Sequence, residues 1–159
     1  MSDSNAAAAD RELRAETTIE APPERVWALI SDVSQMSDWS PELIGMIPLK
    51  PGGLRVGQWY LGLNRRKAVV WPTRNVVGQL APGRSLAWET KTSGATWIWE
   101  IAADGEGTRV VHRRPVPKKL TAVSGLFARF LLGGASEHAD ELEQGMARTL
   151  SRLKAAAES

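Results

Sequence analysis

The chain has 159 residues, 43% of them hydrophobic and 24% charged, with a formal net charge of +2. At this length one core suffices, because about 70% of the unfolded surface leaves water on folding, and the ordinary composition excludes a disordered or fibrous class. So small a charge gives no basis for nucleic-acid binding, although the pI is about 9.2.

Residues 1–13 read as a flexible tail, small and polar with an alanine run and without a secretory pattern, and residues 14–157 read as one domain. No apolar run is long enough to span a membrane, so stable insertion is not expected. Arg14 to Glu20 alternates, putting Ala15, Thr17 and Ile19 on one face of a first strand. Ala21-Pro22-Pro23 stops the strand, and proline in a first turn followed by Glu24 starts a helix to Ile30 with Val26, Trp27 and Ile30 on its buried side. Ser34 to Trp39 forms a second short helix before Ser40-Pro41.

Short strands follow. Leu43 to Leu49 is apolar, Lys50-Pro51-Gly52-Gly53 turns, and Val56 to Asn64 is strand-like with Gly57 and Gly62 inside it. Ala68 to Leu80 runs to the turn Ala81-Pro82-Gly83-Arg84, and Ser85 to Thr92 runs back. Ala95 to Ala102 pairs with Thr108 to Arg114 across a loop at residues 103–107. Pro115 and Pro117 end the series. Leu120, Val123, Phe127 and Phe130 then recur at helical spacing, Gly133-Gly134 interrupts, and Ala139, Leu142, Met146, Leu150 and Leu153 resume the stripe.

There is no cysteine, which removes disulfides and thiolate chemistry and fits a reducing, cytoplasmic setting. Tryptophan is over-represented, with 7 against 2 phenylalanines and 1 tyrosine. Its broad apolar face and single N–H donor suit a wall that holds a flat or greasy guest.

The element order, together with Ile-Glu-Ala-Pro-Pro-Glu-Arg-Val-Trp at 19–27 and Asp38-Trp39-Ser40-Pro41, resembles the START-like (SRPBCC) superfamily, in particular its polyketide cyclase/dehydrase and lipid-transport branch. Further matches are Gly62-Leu63-Asn64-Arg65-Arg66, Pro82-Gly83-Arg84 and Gly105-Glu106-Gly107-Thr108-Arg109. The resemblance implies an α+β helix-grip fold: a curved antiparallel sheet of about seven strands around a long C-terminal helix, two short helices after strand 1, and an apolar ligand held between sheet and helix. Function within such a fold is decided by the cavity, since members range from carriers to cyclases.

Two phasings of the third strand compete. Alternation alone sends Trp59, Leu61 and Leu63 inward. The resemblance reverses this, turning Tyr60 and Asn64 to the cavity and leaving Trp59, Leu61 and Leu63 as an outer apolar face suited to a homodimer; this second phasing is the expectation carried forward. Elsewhere Trp97, Trp99 and Ile101 share a face, as do Leu86, Trp88 and Thr90, and Val110 and His112. The expected ligand-binding set is therefore Tyr60, Asn64, Trp71, Thr73, Trp88, Trp97, Trp99 and His112 from the sheet, with Leu142 and Met146 opposite them.

His112 and Tyr60 are the candidates for proton transfer in a cyclase reading, although a lone histidine beside Arg113 and Arg114 is more often structural. His138 with Ser136 and Asp140 fails as a triad, because residues two apart on a helix do not face each other. His138, Glu137 and Glu141 read as a solvated helix face, and Arg109, Arg113, Arg114, Lys118 and Lys119 as a solvated basic strand end. No ligand spacing suggests a metal, and no glycine fingerprint suggests a nucleotide cofactor. The leading expectation is binding of a small hydrophobic or aromatic ligand, lipid or polyketide-like. An aromatase/cyclase-type enzyme and an interaction or dimerisation module are the alternatives, and residues 120–135 could serve either as core or as a gate.

Overall fold

The computed structural model describes residues 12–91, 93–115 and 135–159. Lys118, Lys119, the stripe from Leu120 to Phe130, the Gly133-Gly134 break and the side chains of Glu137 and His138 lie outside what is described. Strand β1 is Leu13–Ile19, helix α1 Pro23–Ile30, and a 3-10 turn Val33–Asp38 follows. Then come β2 Leu43–Pro48, β3 Trp59–Arg66, β4 Val69–Ala81, β5 Ser85–Thr90, β6 Ala95–Asp104 and β7 Gly107–Arg114, and the chain closes with α2 Ala135–Glu158. All seven strands form one antiparallel sheet in the order β1-β7-β6-β5-β4-β3-β2.

Three boundaries differ from the sequence reading for local reasons. Leu13 belongs to β1 rather than the tail, and it is fully buried. β3 begins at Trp59 and not Val56, because Gly57 takes a positive φ of 88° and turns the chain. The β6–β7 connection is a two-residue turn, Gly105-Glu106, since Asp104 already pairs with Gly107 and Gly105 has a φ of 60°.

The core lies on the sheet's inner face. Val26 and Ile30 of α1 and Leu150, Leu153 and Ala157 of α2 gather with Ile19, Trp88, Trp99, Ile101 and Val110. Burying each large aliphatic side chain contributes roughly 1.5–3 kcal/mol. Trp27, expected on the buried side of α1, is only half-buried against this cluster. Helix α2 packs chiefly along β1, with lesser contact to α1 and β7. Its side chains also satisfy the free edge of β1: Glu143 accepts from the Arg14 N–H at 3.1 Å, Glu158 from the Glu20 N–H at 2.9 Å, and Lys154 donates to the Thr18 carbonyl at 2.8 Å. Among the described residues no helix packs extensively on β3, β4 or β5.

On β3, Tyr60 and Gly62 are buried while Trp59, Leu61 and Leu63 are half-buried on the opposite face. That outer strip continues through Ile47, which pairs with Leu61 and is 47% exposed. Gly62 has a specific reason to lack a side chain. A Cβ there would stand 2.5 Å from Thr73 Oγ1 and 3.0 Å from Asn75 Nδ2. Gly62→Ala is expected to cost about 1–3 kcal/mol in urea unfolding through this overlap and the bonds it breaks. Gly45→Ala, whose new methyl would meet only Leu63 at 3.9 Å, is expected to stay within about 0.5 kcal/mol.

Candidate functional site

The inner face of β6 and β7 forms an aromatic wall. Antiparallel register sets Trp99 directly opposite His112, and the two rings stack with centroids 3.9 Å apart and an interplanar angle of 17°. Trp97 also stacks with the imidazole, at 5.9 Å and 26°. Nδ1 of His112 lies 3.0 Å from the Ile98 carbonyl, so Nδ1 carries the proton and donates, leaving Nε2 as an acceptor. Burial outweighs that backbone bond and lowers the His112 pKa to about 4. The imidazole is therefore neutral at ordinary pH. Trp99 is 1% exposed, and its Nε1 N–H is buried without a hydrogen-bond partner among the described residues, an arrangement that costs free energy unless a guest supplies the acceptor.

A polar ladder crosses the neighbouring strands. Thr90 Oγ1 donates to Asn75 Oδ1 at 2.6 Å, and Asn75 Nδ2 donates to Thr73 Oγ1 at 3.1 Å. Asn64 Nδ2 donates to the same Thr73 oxygen, also at 3.1 Å. The bare backbone of Gly62 leaves room for these groups above β3. Tyr60 closes the row. Its ring is 5% exposed, and burial, with a smaller effect from Asp32, raises its pKa above the usual phenol value.

These positions sort the expected ligand-binding residues. Tyr60, Trp88 and Trp99 lie in the main core cluster with Trp97 against it, and His112 stacks with both β6 indoles. Asn64 and Thr73 join the ladder, while half-buried Trp71 pairs with Asn64 at its outer end. Met146 and Leu142 gather instead with Leu13, Ala15 and Trp97 at the β1 side of the wall. Asn75 and Thr90, 3% and 7% exposed, were not singled out as site residues from sequence; the period-2 phase of β4 outward from Thr73 was the available signal.

A charged cluster bridges the sheet and α2. Arg66 donates through Nε and Nη2 to Glu141 at 2.5 and 2.6 Å, a bidentate pair that ties β3 to the helix. Glu141 is thus not part of a plain solvated face. Glu42 stands beside this pair with part of its surface still open to solvent, and its pKa is raised to about 7 by burial, with Arg66 opposing and Glu141 adding to the shift. The basic strand end is likewise partnered. Arg109 pairs with Glu16 at 2.7 Å, Arg113 with Glu100 at 2.7 Å and Glu12 at 3.1 Å, and Arg114 is 8% exposed on the inner side of β7. Among the described residues no three His, Asp or Glu side chains gather as a metal site, and none of their helices is long and apolar enough to cross a membrane.

Comparison with known proteins places this architecture. Residues 10–158 match the family model described as polyketide cyclase / dehydrase and lipid transport, and the chain belongs to that family. Its α+β helix-grip fold is shared with solved structures. The KanY protein is 20% identical at a TM-score of 0.68, covering 94% of this chain and 99% of its own. TTHA0849 from Thermus thermophilus is 22% identical at 0.65, covering 93% and 99%. Zhui aromatase/cyclase from Streptomyces sp. R1128 is 21% identical at 0.66, covering 93% of each chain. A search of curated proteins found no match.

The two perturbed groups give opposite pH dependences. The folded pKa of Glu42 lies above its ordinary 4.5, so its contribution is present at low pH and is lost as pH rises toward about 7. That of His112 lies below its ordinary 6.5, so its contribution is lost as pH falls toward about 4. Each slope is bounded by about 1.4 kcal/mol per pH unit, and where the two windows overlap they offset each other. In urea unfolding, Glu42→Gln is expected to unmask a rise of stability with pH that ends near 6.5. His112→Gln is expected to unmask the reverse, a fall that begins near pH 4.5 and ends at about 7.

Proposed function

We propose that this chain binds a small hydrophobic or aromatic ligand, lipid or polyketide-like, between the inner face of the sheet and α2. The observation that carries this reading is the buried, unpartnered N–H of Trp99 set in a stacked aromatic wall, beside strands of the same sheet that carry a ladder of polar groups among their apolar side chains. Apolar burial supplies affinity at about 25 cal/mol for each Å² removed from water, and the few polar groups supply orientation. Lack of cysteine agrees with action in the cytoplasm.

The rival reading is an aromatase/cyclase-type enzyme in which the cavity folds a reactive chain and Tyr60 or His112 handles protons. The fold shared with Zhui aromatase/cyclase favours it. Binding leads because burial holds both groups away from neutral titration, Tyr60 as a proton donor and His112 as an uncharged ring.

Anilinonaphthalene sulfonate, an aromatic probe whose apolar rings carry one sulfonate, tests the leading reading. The expected result is saturable binding that quenches tryptophan emission, weakened about tenfold by Trp99→Phe while the far-ultraviolet dichroism is kept. Unsaturable binding, or equal affinity in the variant, counts against it.

A homodimer through Trp59, Leu61 and Leu63 is the partner arrangement we attach to this reading, supported by the half-buried outer face of β3 and by exposed Ile47 beside it. Trp59→Lys is expected to lower the mass seen by sedimentation to that of one chain without loss of fold; an unchanged mass removes the dimer.

A further inference from the structure

A cleft of about 310 Å³ lies between the end of α1, the 3-10 turn and the β2–β3 connection, with none of the wall's tryptophans in its lining. Its size falls at the lower end of small-molecule sites. Five polar side chains face it: Ser31, Asp32, Ser34, Lys50 and Tyr60. Among the described residues none of these five side chains has a hydrogen-bond or salt-bridge partner. Tyr60 is the decisive member. It is 5% exposed as a residue and lines the cleft, and its phenol O–H is not among the sealed-off polar atoms, so a donor without an acceptor among the described residues is presented to a guest.

The frame around these groups is fixed before any ligand arrives. Gln58 is fully buried, donates from Nε2 to the Lys50 carbonyl at 2.8 Å, and accepts from the Trp59 N–H at 3.1 Å. Arg55 donates to the Pro51 carbonyl at 2.9 Å, and the Leu49 N–H donates to the Trp59 carbonyl at 2.8 Å. Apolar surface is available between the polar groups, from Val33, Pro48 and Leu54.

The chemistry of the lining selects the guest. Asp32 only accepts and Lys50 only donates, whereas the three hydroxyls do both. A simple anion meets Asp32 and a simple cation meets Lys50, each at a like charge. A hydroxyl-rich neutral molecule satisfies all five, because each of its own hydroxyls can donate to the carboxylate or accept from the ammonium and the phenol, and its C–H faces can rest on the apolar surface. We propose that this cleft is a binding site for a small polyol of sugar type, either free or as the headgroup of an amphiphile. It is a different site from the one beneath α2, and Tyr60, which lines the cleft and belongs to the core cluster, is where the two adjoin.

Amide correlation NMR of the full chain, titrated with glucose and with octyl glucoside, tests the assignment. Both are expected to shift the amides of residues 31–34 and 50–54. Tighter binding of octyl glucoside, with added shifts at Trp97 and Trp99, identifies a headgroup, and equal binding of the two identifies a free polyol. Asp32→Asn and Tyr60→Phe are each expected to weaken glucose about tenfold while amides elsewhere keep their positions. Unmoved amides in both segments, wild-type affinity in both variants, or an equal response to the zwitterion glycine betaine overturns the proposal. Anilinonaphthalene sulfonate binding in Asp32→Asn separates the two sites: its retention shows that failure here leaves the proposed main cavity standing.

Discussion

Leu150 and Leu153 commit the apolar stripe of α2 to the cluster built by Ile19, Val110 and Trp99, and this placement divides the inner face of the sheet into two unlike halves. Toward β1 and β7 the helix completes an ordinary apolar core. Toward β3, β4 and β5 its described residues do not pack closely, and there the sheet presents a hydrogen-bonded row from Thr90 to Asn64. The Arg66–Glu141 pair reaches across from the second half to the helix, so the helix is anchored on both sides although it packs on only one. This half sets its polar row among Tyr60, Val77, Leu86 and Trp88, which belong to the same buried cluster, so its buried polar groups are satisfied within the sheet rather than by the helix.

Gly62 sets the chemistry of that half. A methyl at this position would collide with the Thr73 hydroxyl, and Thr73 is the shared acceptor of two amide donors. One missing side chain on β3 therefore allows two strands to place polar groups inward. His112 shows the complementary device on β7. Two indoles and a backbone carbonyl hold the imidazole uncharged and in one tautomer, so it acts as a flat, neutral part of the wall with one acceptor nitrogen.

Much of this was legible in the residues. The switch from Ile19 to Ala21-Pro22-Pro23 fixed the first strand and helix because proline both ends a strand and starts a turn of helix. The common face of Trp97, Trp99 and Ile101 followed from period 2 alone. Trp59 to Asn64 did not, since every residue of that strand outside Gly62 has apolar surface or a neutral polar group, and only the three-dimensional course of the sheet decides which side is covered. Glu42 and Arg114 were illegible for another reason. The charges that act on Glu42, Arg66 and Glu141, are distant in sequence, and Arg114 falls on the buried face of β7 with Val110 and His112 although its residue type suggests the surface. Asn75 sat between Arg74 and Val76, where its neighbours advertise nothing of the ladder it joins.

The two outer strands of the sheet end in different ways. At β1 the Arg14 N–H and the Thr18 carbonyl are taken by Glu143 and Lys154, and the Glu20 N–H just past the strand by Glu158. β2 is short, carries a register shift between Leu43 and Gly45, and closes at Pro48, which has no N–H to offer. Neither border is a template for adding a strand from another chain. Exposed Ile44 and Ile47 can therefore persist at the border without seeding runaway sheet growth, and any contact that uses them must meet the protein face to face.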